Sequence, residues 1–277
     1  MKKIGLLAGS LRPESYARLL AKNLGLMTAS DVLLDWLNID DLPLFSDHLS
    51  PAAMAACTSF RQAVSGVDGL IIVTPEINHG MPGCLKNVLD IASVTEQGNS
   101  AWRNKPAVLA AVSTGDMGGI SASQDLKQVA LTVGMQIVQP SELYLGRAAE
   151  RFDEHGLLAT DHSTTDFLRS AVDQLVATLH ATTDTPALAF RFTAQKLIIL
   201  KDHQPVGQSE LLLTDNVLTI RKVVTDPAQR GQCIGALMMV RLLAVAQLFG
   251  WSIRPTCSYA RYFFEQHPEA QRLLAAE

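Results

Sequence analysis

The sequence predicts a doubly wound α/β domain built on a five-stranded parallel sheet, followed by a small α+β domain. Through residue 180, short apolar runs alternate five times with longer amphipathic stretches, the rhythm of parallel strands and crossover helices. The inner runs are apolar on both faces, as strands covered by helices on either side must be. From residue 187 the rhythm changes to short strands separated by turns, with one long apolar helix behind them.

In chain order, the expected strands of the first domain are Ile4–Ala8, Val32–Ile39, Leu70–Thr74, Ala107–Ser113 and Ile137–Leu145. The helices are Ser15–Met27, Pro51–Ser65, Pro82–Ser93, Ser121–Gly134 and Ser163–His180. Thr178–Pro186 (TLHATTDTP) has the composition of a connector, which sets the domains at 1–180 and 187–277 with 181–186 as linker. Charge divides at the same place, with 13 Lys and Arg against 19 Asp and Glu up to residue 180, and 10 against 7 from residue 187. In the second domain Leu188–Thr193, Lys196–Lys201, Glu210–Leu213 and Val217–Thr225 are expected strands, with turns at Asp202–Gly207 and Thr214–Asn216. The long helix carries Ile234, Leu237, Met238, Leu242, Val245 and Leu248 on one stripe, with Arg241 among them. Gly250 ends it before the strand Trp251–Thr256, and Tyr259–Gln266 forms a last short helix stopped by Pro268.

Composition excludes several classes. The 277 residues are 48% apolar and 18% charged, the latter below the roughly 25% usual for soluble domains, so the chain is not intrinsically disordered. No apolar run approaches the roughly 18 residues that a membrane span needs. Ile4–Ala8 is too short for a signal peptide and Arg12 interrupts it, so a cytoplasmic setting is expected. The four cysteines form no CxxC pair, which suggests neither a disulfide framework nor a metal site. The modest basic balance of the second domain is too weak to argue for nucleic acid.

In a doubly wound sheet ligands belong at the carboxyl ends of the strands, and three loops fall there. Gly9–Ser15 leads from the first strand into the first helix; Ser10, Ser15 and Arg12 supply hydroxyl and cationic donors beside a helix N-terminus, a setting for phosphate. It is neither GxGxxG nor GxxxxGK[ST], which favours a single phosphate monoester over a pyrophosphate or a nucleoside triphosphate. The plain alternative is that Ser15 is an N-cap and Arg12 a solvated loop residue. Thr74–Gly83 follows the third strand; two prolines and two glycines make it a rigid backbone suited to the edge of a planar heterocycle. Ser113–Gly119 follows the fourth strand and reaches the other side. His79 reads as a turn residue, and Lys86 and Asp90 as a solvated helix face.

Together GSLRPES (Gly9–Ser15), PEINHGMPGCLKN (Pro75–Asn87) and STGDMGG (Ser113–Gly119) resemble the NADPH-dependent FMN reductase family, which includes quinone and chromate reductases. The resemblance implies a flavodoxin-like homodimer or homotetramer that binds FMN. Ser10, Arg12, Ser15 and Tyr16 would surround the phosphate, Pro75, Glu76, Ile77 and Asn78 would follow the isoalloxazine, and Ser113, Thr114 and Gly115 would close the site. NADH or NADPH would reduce the flavin, which would pass electrons to a quinone, a free flavin or a similar small acceptor. No catalytic side chain is expected, because hydride transfer needs stacking geometry and N–H donors around the cofactor. Two positions depart from the family's usual residues: Ile77 stands where Tyr is usual, and Tyr16 where Asn or Phe is commoner.

The joint Thr225–Gly235 again brings a helix N-terminus to a glycine-containing turn with an arginine, an anion cradle on physical grounds. With RPTCSY (Arg254–Tyr259) and FEQHP (Phe264–Pro268), it resembles the minimal GNAT-like N-acetyltransferases. That implies acetyl-CoA held at Arg230, Gly231, Gln232, Cys233, Ile234 and Gly235, with Cys257 and Tyr259 nearby. Cys233 occupies a place where the family usually has glycine. The plain reading makes Cys257 a buried small hydrophobe and Tyr259 a packing residue. The expected function is an FMN-dependent NAD(P)H oxidoreductase with a candidate acetyl-CoA-binding domain. Its alternatives are a flavin-binding electron carrier without fast turnover, and an N-acetyltransferase whose first domain is a scaffold or redox sensor.

Overall fold

The computed structural model describes residues 1–28, 32–94, 98–139, 142–159, 161–180, 188–201, 204–229 and 233–276. The expected linker 181–186, the start of the turn at 202–203, and Arg230, Gly231 and Gln232 lie outside the described residues. The chain groups into two compact units, Met1–Gly25 with Val32–Thr183, and Leu26–Asp31 with Asp184–Glu277.

The first unit is a flavodoxin-like parallel sheet. Its strands are β1 (Lys2–Ala8), β2 (Val32–Trp36), β3 (Gly69–Pro75), β4 (Pro106–Val112) and β5 (Gln136–Ile137), in the order β2-β1-β3-β4-β5. A short β6 (Leu143–Leu145) also pairs in parallel with β4. The helices are α1 (Tyr16–Leu26), α2 (Pro51–Ser65), α3 (Gly83–Ile91), α4 (Ile120–Thr132) and α5 (His162–His180). Strand order reverses between β1 and β3, so the loops leaving those two strands border the crevice where such sheets bind ligands. Leu70, Ile71, Ile72 and Val73 are all fully buried, which is why β3 is apolar throughout. Trp102 anchors one face: it is fully buried, meets Phe60 edge-on at 6.2 Å and donates Nε1–H to Leu89 O at 2.9 Å.

Two strands differ from expectation. The run expected as Ile137–Leu145 is broken into β5 and β6 because a side chain takes over the ladder. The Gln139 carboxamide accepts from Leu109 N at 2.8 Å and donates to Leu109 O at 2.6 Å, while residues 140 and 141 of the expected run lie outside the described residues. β2 ends at Trp36 rather than Ile39, although Leu37 N still donates to Leu6 O at 2.9 Å and Ile39 stays buried.

The second unit is a five-stranded sheet of β7 (Leu188–Phe192), β8 (Lys196–Lys201), β9 (Gln204–Thr214), β10 (Val217–Thr225) and β11 (Ser252–Pro255). Their order is β11-β10-β9-β8-β7, antiparallel except for the parallel pair β10–β11. β9 starts six residues before the expected Glu210. Pro205 and Gly207, which read as turn residues, sit instead at a register shift opposite Ile199 and Leu200, the setting in which strands admit them. Helix α6 (Ile234–Phe249) and helix α7 (Ser258–Gln266) complete this unit. Arg241 is buried on α6, with its guanidinium 5.4 Å from the Phe190 ring centre. Its Nη2 donates to the carbonyls of Leu26 and Thr28 and to the Thr28 hydroxyl, at 2.9 to 3.1 Å. That explains a cation on an apolar stripe. Among the described residues no helix is long and apolar enough to cross a membrane, and no three His, Cys, Asp or Glu side chains gather as metal ligands.

Candidate active site

The cleft is built from the loops after β1, β3 and β4. At the end of β1, Gly9 N donates to Val73 O at 2.8 Å, and a Cβ on Gly9 would stand 2.9 Å from Leu85 Cδ2, so only glycine brings this loop against α3. Ser10 Oγ accepts from Arg12 N, and buried Ser15 Oγ accepts from Arg18 N, both at 3.3 Å. Ser15 is therefore the N-cap of α1, as the plain reading had it, and it borders the cleft as well. The backbone N–H groups of Leu11, Tyr16 and Ala17 have no acceptor among the described residues. Those donors, two serine hydroxyls and the exposed Arg12 make a set that fits an anion.

After β3, Ile77 and Gly80 exchange backbone bonds at 3.0 and 3.1 Å, with Asn78 at φ 52° and His79 at φ 61°. Two consecutive left-handed residues define a type I′ turn, a conformation Asn and His tolerate better than most side chains. Ile77 is held at the cleft 57% exposed. Glu76 also borders the cleft, but its carboxylate is committed elsewhere: Oε2 accepts from Ser121 N at 3.0 Å and Ala122 N at 3.3 Å, at the start of α4. His79 is in the turn with Nδ1 3.5 Å from Glu76 Oε1, and Lys86 pairs with Asp90 at 2.8 Å on an exposed helix face, both in line with the plain readings. Asn87 pins the 43–45 segment, accepting from Phe45 N and donating to Pro43 O.

After β4, the loop is laced to the segment following β6. Ser113 N donates to Leu145 O at 3.1 Å, Arg147 N to Gly115 O at 3.2 Å and Ala148 N to Ser113 O at 3.0 Å. The loop's own Gly115 N is taken by Ser113 Oγ at 3.2 Å.

The resulting cleft of about 460 Å³ is within the usual range for small-molecule sites. Ser10, Arg12, Ser15, Tyr16, Pro75, Glu76, Ile77, Ser113 and Thr114 line it, brought together from loops about 100 residues apart in sequence. Asn78 and Gly115 do not line it; one shapes the turn and the other braces the loop. Tyr16 stacks on Phe152, with ring centres 5.9 Å apart. Leu11, Pro82, Cys84 and Val112 line the cleft in addition. Burial pushes the Cys84 thiol up from its ordinary pKa, which keeps it protonated. Its place in the first turn of α3, after Pro82-Gly83, was the sequence signal for it.

In the second unit, Cys233 is the N-cap of α6, exposed and at φ 58°, a left-handed conformation that suits glycine. Ile234, the first residue of α6, has its side chain buried. A Cβ on Gly235 would lie 2.9 Å from the Tyr259 ring, so this glycine makes room for that ring. Burial first, then neighbouring Cys233 and Tyr262, raise the Tyr259 phenol. Cys257 is the N-cap of α7 and is partly exposed. Strands β10 and β11 pair from Val217 to Ile220 and then part, because Thr256 N, Thr256 Oγ1 and Cys257 N all donate to Ile220 O. Beyond that point Arg221–Thr225 has β9 on one side and, among the described residues, no strand on the other.

The strand order and the cleft at its switch point define a flavodoxin-like protein with a small-molecule site. The family model for NADPH-dependent FMN reductase matches residues 2–150, and the chain belongs to that family. A second model, for GCN5-related N-acetyl-transferase, matches residues 196–273. A quinone reductase of Pseudomonas putida is 37% identical over 175 residues, 63% of this chain and 92% of the relative. A 2-hydroxy-1,4-benzoquinone reductase of Burkholderia sp is 34% identical over 175 residues, 63% of this chain and 94% of the relative. Among solved structures, the flavoenzyme NAD(P)H:(acceptor) oxidoreductase FerB of Paracoccus denitrificans is similar with a TM-score of 0.59 and 30% identity, covering 65% of this chain and 98% of that one. The chain is thus an NAD(P)H-dependent flavin enzyme whose cofactor is FMN, and the donor set and size of the cleft fit that group.

Proposed function

We propose that this protein reduces quinones, free flavin or similar small acceptors with electrons from NADH or NADPH, through FMN held in the cleft of the first unit. The observation that carries the reading is the meeting, at one switch-point cleft, of N–H groups without an acceptor among the described residues, two serine hydroxyls and Arg12 with an apolar wall. When bound, FMN supplies the hydride and electron transfer itself. Arg12, Ser10, Ser15 and the amides of Leu11, Tyr16 and Ala17 hold its phosphate. Pro82 and Val112 form the apolar wall that excludes water, and the neutral Cys84 thiol stays out of the chemistry. Ile77, without the ring that the family usually has there, leaves that side of the cleft open to the acceptor. The test is an anaerobic visible spectrum. Bleaching of a flavin band by NADPH and its recovery with a quinone are the expected result; a protein that FMN cannot reconstitute would refute the proposal. We also infer assembly as a homo-oligomer, as the family resemblance implies, checked by light scattering coupled to gel filtration.

The open edge of β10 favours a second reading for the second unit. A strand with one unpaired edge accepts an extended amide-bearing ligand by backbone pairing, and acetyl-CoA carries such a chain. Calorimetric titration with acetyl-CoA is expected to show binding. No heat in either the native protein or Cys233→Gly would leave this unit without that role.

A further inference from the structure

Arg18 is a well-anchored cation beside the cleft. It stands in the first turn of α1 with its side chain only 12% exposed. Its Nε donates to Ser10 O at 3.0 Å, its Nη2 pairs with the Asp40 carboxylate, and its guanidinium lies 5.8 Å from the Trp36 ring centre. Its own backbone N–H takes Ser15 Oγ. One residue therefore ties together both serines of the β1–α1 loop and the segment after β2.

We propose that Arg18 is the positioning residue of the phosphate subsite. The inference rests on the reading of Gly9–Ser15 as that subsite. The Ser10–Leu11 peptide is trans, so its carbonyl and N–H point in opposite directions. Holding the carbonyl toward Arg18 turns the Leu11 N–H away from it, and that N–H has no acceptor among the described residues. Arg12, by contrast, is exposed and must give up rotamer freedom when it meets an anion. Asp40 offsets much of the Arg18 charge, so Arg18 acts by preorganising the loop more than by direct attraction. A lysine offers no planar fork to serve Ser10 and Asp40 together.

The test compares FMN with riboflavin, which lacks the phosphate, in fluorescence titrations of the apoprotein. Arg18→Met is expected to weaken FMN about tenfold, the size of one charge-assisted hydrogen bond, while riboflavin affinity changes less than about threefold. Arg18→Lys recovers only part of the loss. Equal loss for both flavins, or no loss for either, would overturn the proposal by showing a merely structural role or none. Arg12→Ala separates the premises. A shift of the FMN-to-riboflavin ratio with Arg12→Ala and none with Arg18→Met refutes the Arg18 role alone; no shift in either variant refutes the phosphate assignment of the loop. If Arg18→Met does not fold, as judged by circular dichroism, the same comparison with Arg18→Lys and Asp40→Asn decides.

Discussion

Removing the Glu76 carboxylate tests how the cleft is braced. Helix α4 starts after Gly119 with no side-chain cap and no acidic residue in its first turn, so its orphan N–H groups depend on a residue 45 positions earlier. Glu76 Oε2 accepts two of them, at 3.0 and 3.3 Å, and the side chain is 16% exposed. A hydrogen bond to a charged group contributes about 1.5–3 kcal/mol. Sharing one oxygen and the longer second contact reduce the sum, and water recovers part of it. Glu76→Ala is therefore expected to cost about 2 kcal/mol locally, and Glu76→Gln about 1, because the amide oxygen keeps an acceptor but loses the charge facing the helix dipole. Native-state hydrogen exchange reads this directly: 2 kcal/mol corresponds to roughly thirtyfold faster exchange at Ser121 and Ala122. FMN affinity should change little, since the carboxylate is directed at α4. Unchanged exchange in Glu76→Ala, or equal effects of Ala and Gln, would refute the reasoning.

Arg12→Ala is expected to weaken FMN by about 1.5–3 kcal/mol, one lost charge-assisted contact, measured by titration of the apoprotein. Cys84, its thiol pKa raised by burial, should react with iodoacetamide more slowly than exposed Cys233 at pH 8. Only the thiolate reacts, so its rate climbs as pH rises through the raised value, and bound FMN protects it, as peptide mass spectrometry will show. Cys233→Gly removes left-handed strain worth roughly 1–2 kcal/mol against a smaller entropic cost of glycine, so the second unit should gain about 1 kcal/mol in thermal unfolding with FMN affinity unchanged.

Much of the fold was legible because the inner strands of the first unit are short apolar runs and the helices between them are amphipathic; Leu70 to Val73, bounded by Gly69 and Pro75, fits a strand covered on both faces. The break at Gln139 was not legible, since a carboxamide replacing a backbone partner leaves no periodic trace. Loops after β1, β3 and β4 were legible as site loops because topology alone puts them at one end of the sheet. Individual roles were harder. Arg18 reads as one more charge on an amphipathic helix, and only its reach back to Ser10 distinguishes it. Glu76 sits inside a site motif, but its carboxylate serves a helix that begins 44 positions later in sequence. Arg241 sits on the apolar stripe with nothing in sequence to show its acceptors, which are the carbonyls of Leu26 and Thr28.

The type I′ turn at Ile77–Gly80 bears on how this enzyme diversifies. Its backbone path is set by the two left-handed residues and by the paired bonds between Ile77 and Gly80, none of which involves the Ile77 side chain. Residue 77 is thus free to vary without disturbing the chain that carries it. If the acceptor enters beside residue 77 as proposed, a library restricted to that position is expected to change acceptor preference at little cost to folding, which steady-state kinetics with a panel of quinones would check.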